Sequence, residues 1–400
     1  MLRASHTAII GDGPAALATL AVLRHRGVTD EITVYGDSPH PLARLERYAR
    51  SVRQDTMRSE GDGHLSPAGF PDLALVDTLR RRSPLPALAS LFNLYTPPLD
   101  LLLEHAAQVA ERYSFARCHV HARVGRVARP AGDPRWFELF DEQGAPLGRA
   151  RNVVLALGHP GLRWPAAAGS WRFHPRVSHA YQRPTFAVGE RIAVVGGGMG
   201  AAHVWLAALA AGASVVALHR SSLKRQQLNA PRRMFSAVGL DEYRRLDPEA
   251  RLSRLRAGSG SYALRPGWEW RLWQARRDGR FITRQATVER IEEAGRHERH
   301  GRPLRLHLAG GDTLAVDRVV FATGFRTDVR EHPLVRRLVE EERVPCVGGV
   351  LQVNDDFTVP PLSRPGSVLA AVGVLARWAL PVADTFFGMK YAARRIPIDC

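Results

Sequence analysis

Lysine is almost missing from this 400-residue chain. Lys224 and Lys390 are the only two, so arginine carries the formal net charge of +17. The arginines are spread along the chain rather than gathered in a tail, and no basic stretch is interleaved with aromatics. That distribution fits an arginine-for-lysine bias and excludes a recognisable nucleic-acid module. Cysteine is equally scarce. Cys118, Cys346 and Cys400 form neither a C-x-x-C pair nor a metal-ligand spacing, which argues against a disulfide framework, a redox dithiol or a thiolate metal site. No apolar run is long enough to span a membrane. The most apolar stretch, Ser367 to Phe387, is broken by Arg377, Pro381 and Asp384, and reads as a strand followed by a buried helix. The N-terminus enters a strand within six residues without a signal-peptide pattern, so the expected compartment is the cytoplasm.

With 45% hydrophobic residues, the chain has the material for two or three domains with substantial cores. The first clear signal lies between His6 and Asp37. An apolar run, Thr7-Ala8-Ile9-Ile10, meets Gly11-Asp12-Gly13-Pro14-Ala15-Ala16; an Ala/Leu-rich helical stretch follows to about Arg26, and a second strand covers Glu31 to Tyr35. This is the G-x-G-x-x-A form of a dinucleotide-binding βαβ unit. Gly11 makes the tight turn, Gly13 lets the backbone approach a pyrophosphate, and Ala16 permits close helix–strand packing. The helix N-terminus supplies N–H donors and positive dipole.

A second copy raises the weight of the first. Arg191 to Val195 is its strand, Gly196-Gly197-Gly198-Met199-Gly200-Ala201-Ala202 its turn, and Ser214 to Leu218 its second strand. Two similar strand-plus-glycine exits, Leu155-Ala156-Leu157-Gly158 and Phe321-Ala322-Thr323-Gly324, bracket this copy. The spacing predicts an α/β protein with two Rossmann-like, three-layer dinucleotide-binding domains, the second inserted into the first. The expected boundaries are 1–160 and 315–400 for the first domain, 161–189 for a linker and 190–314 for the insertion. Other expected elements are a helix opening at Thr96-Pro97-Pro98-Leu99, a strand from His119 to Ala128 pairing with Trp136 to Phe140, and a helix from about Pro381 to Arg395. Gln226 to Arg280 is rich in arginine and tryptophan and carries no legible motif.

Two glycine turns with two strand-glycine exits resemble the flavoproteins that hold FAD in one dinucleotide domain and NAD(P)H in another. Phe321-Ala322-Thr323-Gly324-Phe325 is similar to the A-T-G-[FY] segment of flavin-containing and N-hydroxylating monooxygenases. Phe173-His174-Pro175-Arg176-Val177-Ser178-His179 resembles the F-x-G-x-x-x-H linker of class B flavin monooxygenases, with Pro175 standing in place of glycine. Met57-Arg58-Ser59 with His64-Leu65, and the helix after Pro97-Pro98, look like segments of lysine/ornithine N-hydroxylases. The resemblance implies an oxidoreductase using FAD and NADPH that oxygenates a small molecule, with N-hydroxylation as one form, through a C4a-(hydro)peroxyflavin formed with O2. Two alternatives stay open: an NAD(P)H-driven reductase passing electrons to a quinone or an acidic redox-protein partner, and a non-enzymatic FAD/NADPH-binding protein. Homo-oligomerisation is also open.

On that footing Gly11, Gly13, Pro14, Ala15 and Ala16 face FAD. The acid expected at the end of the second strand is displaced: Gly36 falls where Glu usually sits, and Asp37 is either its replacement or part of a turn. Gly196, Gly198, Met199, Gly200 and Ala201 face the nicotinamide dinucleotide. Arg220 and Ser221, where an acid would favour NAD, suit a 2′-phosphate. Gln54, Met57, Arg58 and Ser59, with Thr323, Gly324, Pro381 and Val382, are expected near the cofactors. His64 and His179 are the catalytic candidates, each with the commoner alternative of a histidine bonded to nearby backbone. Trp268, Trp270 and Trp273 either wall a substrate pocket or pack as helix side chains.

Overall fold

The computed structural model describes residues 3–58, 64–68, 72–92, 94–130, 132–226, 230–257, 260–263, 266–293 and 303–398. Ser59 and Cys400 lie outside them.

The Thr7–Ile10 run is apolar and β-branched on both faces, the pattern of a strand covered on both sides. It forms the end of β1 (Arg3–Ile10), flanked in parallel by β2 (Ile32–Gly36) and β6 (Pro146–Leu155), with Ile10 opposite Tyr35 and Leu155. β3 (His119–His121) extends the sheet beyond β2. The other edge of β6 is shared. Its first half pairs antiparallel with β5 (Phe137–Asp141), which pairs in turn with β4 (Val124–Ala128). Its last residues pair in parallel with β19 (Leu369–Ala371), a strand from the far end of the chain.

A second sheet of five strands is parallel throughout; its order, from one edge to the other, is β12 (Phe281–Gln285), β9 (Ser214–His219), β8 (Arg191–Val195), β16 (Arg318–Phe321) and β7 (Val177–His179). The helix Met199–Ala210 is apolar nearly all round and covers one face, burying Ala201, Val204, Trp205 and Ala208. An antiparallel layer of β13 (Val288–Glu293), β14 (Leu304–Leu308) and β15 (Thr313–Val316) covers the other. There Leu304, Leu306 and Leu308 pack with Val216, Leu218 and Phe321.

Between the sheets the chain crosses more often than the expected boundaries allow. β7, placed in the linker, and β16, placed in the returning part of the first domain, are both strands of the second sheet. The segment between β10 (Lys224–Gln226) and β11 (Ser261–Ala263), two short paired strands, leaves the inserted domain altogether. Its helices Ala237–Arg244 and Pro248–Ala257 send Leu240 and Leu252 into the first domain's core, and the Tyr243 hydroxyl donates to the Arg377 carbonyl at 3.2 Å. An apolar strand such as Val319-Val320-Phe321 announces burial, not which of two sheets buries it. A hairpin of β17 (Cys346–Val347) and β18 (Val350–Leu351) lies on the return path to β19.

The C-terminal helix runs from Phe386 to Arg395 rather than from Pro381. Thr385 caps it: its Oγ1 accepts from Gly388 N at 3.1 Å and donates to the Val382 carbonyl at 2.7 Å. No helix among the described residues is long and apolar enough to cross a membrane.

Candidate functional site

The two glycine turns are built alike. Gly11 N donates to the Tyr35 carbonyl and Gly196 N to the Leu218 carbonyl, both at 2.8 Å. Ala156 N donates to Ile10 and Ala322 N to Val195, again at 2.8 Å. Each strand-glycine exit is therefore the neighbour of the nucleotide strand in its own sheet, one copy per domain. Gly11 holds φ +110° and Gly196 φ +145°, conformations that L side chains rarely adopt. A side-chain carbon on Gly11 would lie 2.5 Å from the Ala156 carbonyl oxygen, and one on Gly196 would overlap that of Ala322.

At the first turn, Gly13 is the extended residue before the helix Pro14–His25. No side chain caps that helix, no acid sits in its first turn, and among the described residues no atom outside the turn lies within 4 Å of where a Gly13 side chain would start. The amides there have room for an anion and a dipole to favour it. Ala15 and Ala16 are buried, and Gly373, after β19, comes close enough that a side chain on it would sit 3.2 Å from Ala15 Cβ. Sequence reading missed Gly373, although a glycine directly after a buried strand was the available signal.

Asp37 is engaged by Arg123, whose guanidinium donates to Asp37 Oδ2 at 2.6 and 2.7 Å. Burial raises the Asp37 carboxyl, but the hydrogen bond and charge of Arg123 outweigh it and hold the carboxyl below the usual carboxylate range. Gln54 Nε2 donates to the Thr56 carbonyl and to Met57 Sδ, folding this loop on itself. Arg58 points the other way, into the inserted segment. Its guanidinium donates to the Ser261 carbonyl at 3.0 Å, to Ser261 Oγ at 3.1 Å and to the Gln226 carbonyl at 2.5 Å. It ties the first domain to the paired strands β10 and β11.

At the second turn the helix Met199–Ala210 also starts on an extended glycine, Gly198, with no side-chain cap and no acid in the first turn. The backbone of Gly260 passes 3.7 Å from where a Gly198 side chain would start, walling this turn on one side. Gly200 faces Tyr181. Past the end of β9, Arg220 and Ser221 are exposed, and the Arg220 side chain makes no ion pair among the described residues. Lys224 donates to the Ala257 carbonyl and Arg225 pairs with Glu269, so neither competes for that position. Arg163, which the sequence did not single out, lies within electrostatic range. Desolvation first, and then the Arg220 charge, lower its pKa. Two guanidinium groups near enough for one to feel the other's charge suit a dianionic phosphate.

The histidine candidates are core residues. His64 is fully buried; its Nδ1 accepts from Ser66 N at 3.2 Å and its ring meets His105 edge-on at 4.6 Å. His179, also fully buried, accepts from Tyr181 N at 3.3 Å and packs against Trp164 and Tyr181. Burial pushes His179 down to about 4; burial, then His64 and Lys390, do the same to His105. Unfolded, each imidazole takes up its proton near pH 6.5. Between about pH 6.5 and 4 the unfolded chain thus binds more protons, so stability falls with pH and the contribution is gone near pH 4. At about 1.36 kcal/mol per unit, each group accounts for roughly 3 kcal/mol over that window. Urea midpoints from pH 7.5 to 4 should fall, and His105→Gln should flatten the curve; an unchanged slope in that variant would contradict the assignment.

No protein-family model matches the chain, and no curated protein matches it in sequence. Solved structures do match in shape. Reduced ornithine hydroxylase from Pseudomonas aeruginosa aligns with TM-score 0.73 at 17% identity, over 98% of each chain. The ornithine N-hydroxylase of Kutzneria sp. 744, with reduced FAD, NADP+ and L-ornithine, gives 0.73 at 16%, again over 98% of each. A bacillithiol disulfide reductase from Bacillus cereus gives 0.61 at 17% over the same share. The chain has the two-dinucleotide-domain flavoprotein fold.

In this flavoprotein fold the junction between domains is aromatic. Tyr181 and Phe325 stack at 5.0 Å, His159 stacks on Phe325 at 5.0 Å, and Tyr48 leans on both Tyr181 and Phe325. The four rings come from both domains: His159, Tyr181 and Phe325 follow β6, β7 and β16, and Tyr48 lies in the helix Ala43–Ser51. Just outside them a cavity of about 450 Å³ is lined by Pro160, Leu162, Trp164, Phe173 and Arg326. The tryptophan cluster divides. Trp268 packs edge-on against His203, whereas Trp270 and Trp273 stack at 4.9 Å on the surface. They line a cavity of about 610 Å³ at the C-terminal end of the helix Met199–Ala210, the end opposite the glycine turn.

Proposed function

We propose that the protein is an FAD- and NADPH-dependent monooxygenase that oxygenates a small-molecule amine. The observation that carries this reading is the duplication: two strand–glycine–helix turns with matching hydrogen bonds and uncapped helix N-termini in one chain. The amides after Gly13, with Ala15 and Gly373 alongside, would hold the pyrophosphate of FAD. Those after Gly198, with Arg220 and Arg163 beyond, would hold NADPH and its 2′-phosphate. When bound, the two cofactors supply hydride transfer and the activation of dioxygen. The protein's part is to bind them, orient them and keep water out, which the packed rings of Tyr48, Tyr181, Phe325 and His159 serve. His179 stays neutral near pH 7 and acts there as a packing residue that positions Tyr181 through its backbone amide. The amine substrate is supported by the ornithine hydroxylases among the structures of the same shape.

The test is a balance sheet of products. The flavin-loaded protein should oxidise NADPH and consume O2, and with ornithine or lysine present hydroxylated amine should rise as hydrogen peroxide falls. NADPH consumption with quantitative peroxide for every amine tried, alongside fast turnover with quinones, would favour a reductase instead.

A further inference from the structure

Dinucleotide units of this type ordinarily place an acid at the end of the second strand to accept hydrogen bonds from the adenosine ribose. Here that position is Gly36. The space is not empty: a side-chain carbon at Gly36 would overlap the carboxylate of Asp12, the middle residue of the Gly11-Asp12-Gly13 turn. The second unit shows the reverse arrangement. Its strand ends in His219 and its turn carries Gly197, where an added carbon would lie 2.7 Å from Leu223 and 3.7 Å from His219 Cβ. In the first unit the strand-end position gives up its side chain to the turn; in the second the turn position has none and the strand end keeps its own. Asp12 is held in place: Oδ2 accepts from Ser38 N at 2.5 Å and Oδ1 from Ser38 Oγ at 3.0 Å. The side chain is 11% exposed. His119 Nε2 lies 3.7 Å from Oδ2 and is a buried nitrogen with no hydrogen-bond partner among the described residues. Asp37 is paired with Arg123.

We propose that Asp12, from within the glycine turn, has taken over the role of the strand-end acid and accepts the adenosine ribose hydroxyls of the dinucleotide at the first turn, with His119 as the neighbouring polar group. The proposal rests on the reading of the first turn as the FAD site. Substituting the turn residue moves the carboxylate without changing where it arrives, and the loss of the side chain at position 36 makes room for it. Asp37 then serves the fold through Arg123.

The experiment is reconstitution of the apoprotein with FAD, followed by quenching of flavin fluorescence, and with an FAD analogue lacking the adenosine 2′-hydroxyl. Wild type should prefer FAD to the analogue by about tenfold. Asp12→Asn should weaken FAD binding by about 10- to 100-fold and lose most of that preference, with NADPH affinity unchanged. Gly36→Glu alone should bind poorly, because both side chains claim one space. The double variant Asp12→Gly with Gly36→Glu should recover FAD affinity to within a few-fold of wild type. Equal FAD affinity in Asp12→Asn, or a double variant no better than Asp12→Gly, would overturn the proposal. A drop in apoprotein Tm without a change in FAD preference would assign Asp12 to loop support alone and would overturn it as well. Failure of the wild type to take up FAD would instead remove the reading of the first turn.

Discussion

Gly196→Ala should leave FAD bound and abolish reduction by NADPH, and Gly11→Ala should yield protein without FAD. Each glycine has a positive φ, +145° and +110°, so alanine is strained there before any neighbour is considered. The neighbours then close the remaining routes. The added carbon meets the Ala322 carbonyl in one case and the Ala156 carbonyl in the other, each just past the end of the adjacent strand and held there by its own amide, which donates to Val195 or Ile10. Strain of roughly 3 kcal/mol placed on the turn that aims the amides translates to about 100-fold or more in cofactor use. The turns belong to separate sheets, so the losses should be separable. Flavin content measured on purified protein, and the rate of anaerobic flavin bleaching by NADPH, check the pair. Loss of FAD in Gly196→Ala, with a folded first domain by circular dichroism, would contradict the assignment of one cofactor to each turn.

The second large effect is expected at Arg220. Arg220→Ala should raise the NADPH concentration needed for half-maximal flavin reduction by about 10- to 100-fold and leave NADH use within a few-fold. One or two charge-assisted hydrogen bonds to a phosphate are worth roughly 1.5–3 kcal/mol each. The Arg220 charge disfavours the Arg163 cation, and a dianion bound by both would relieve that repulsion. Arg163→Ala should therefore shift the same ratio in the same direction. Equal losses for NADPH and NADH would show that Arg220 does not read the phosphate.

Much of this was legible in the sequence because the chemistry of a dinucleotide turn leaves a local mark. Gly11, Gly13, Gly196 and Gly198 are set by backbone geometry within a few residues, and the strand before each turn must be buried on both faces. Contacts between residues far apart in the chain left no such mark. Nothing near Arg58 signals that it reaches Ser261, more than two hundred positions away, and nothing in Leu240 or Leu252 says that their helix pair packs on the other domain's core. The exits at Gly158 and Gly324 were visible as a pair, but strand composition could not assign them one to each sheet. Asp12 was hidden for a related reason. A side chain in the variable position of a turn looks incidental until the fold brings it into the gap left at Gly36.

The connections between the two domains have a mechanical consequence. One is a ribbon in which Leu162 bridges Phe325, with Arg163 N donating to Gly324 and Arg326 N to Gly161. The other is the base of the excursion at β10 and β11, gripped by Arg58, whose helices are planted on the first core. Tyr48 of the first domain, packed on Tyr181 and Phe325, adds a third hold. The inserted domain is clamped at several places rather than hung from a single crossing of the chain.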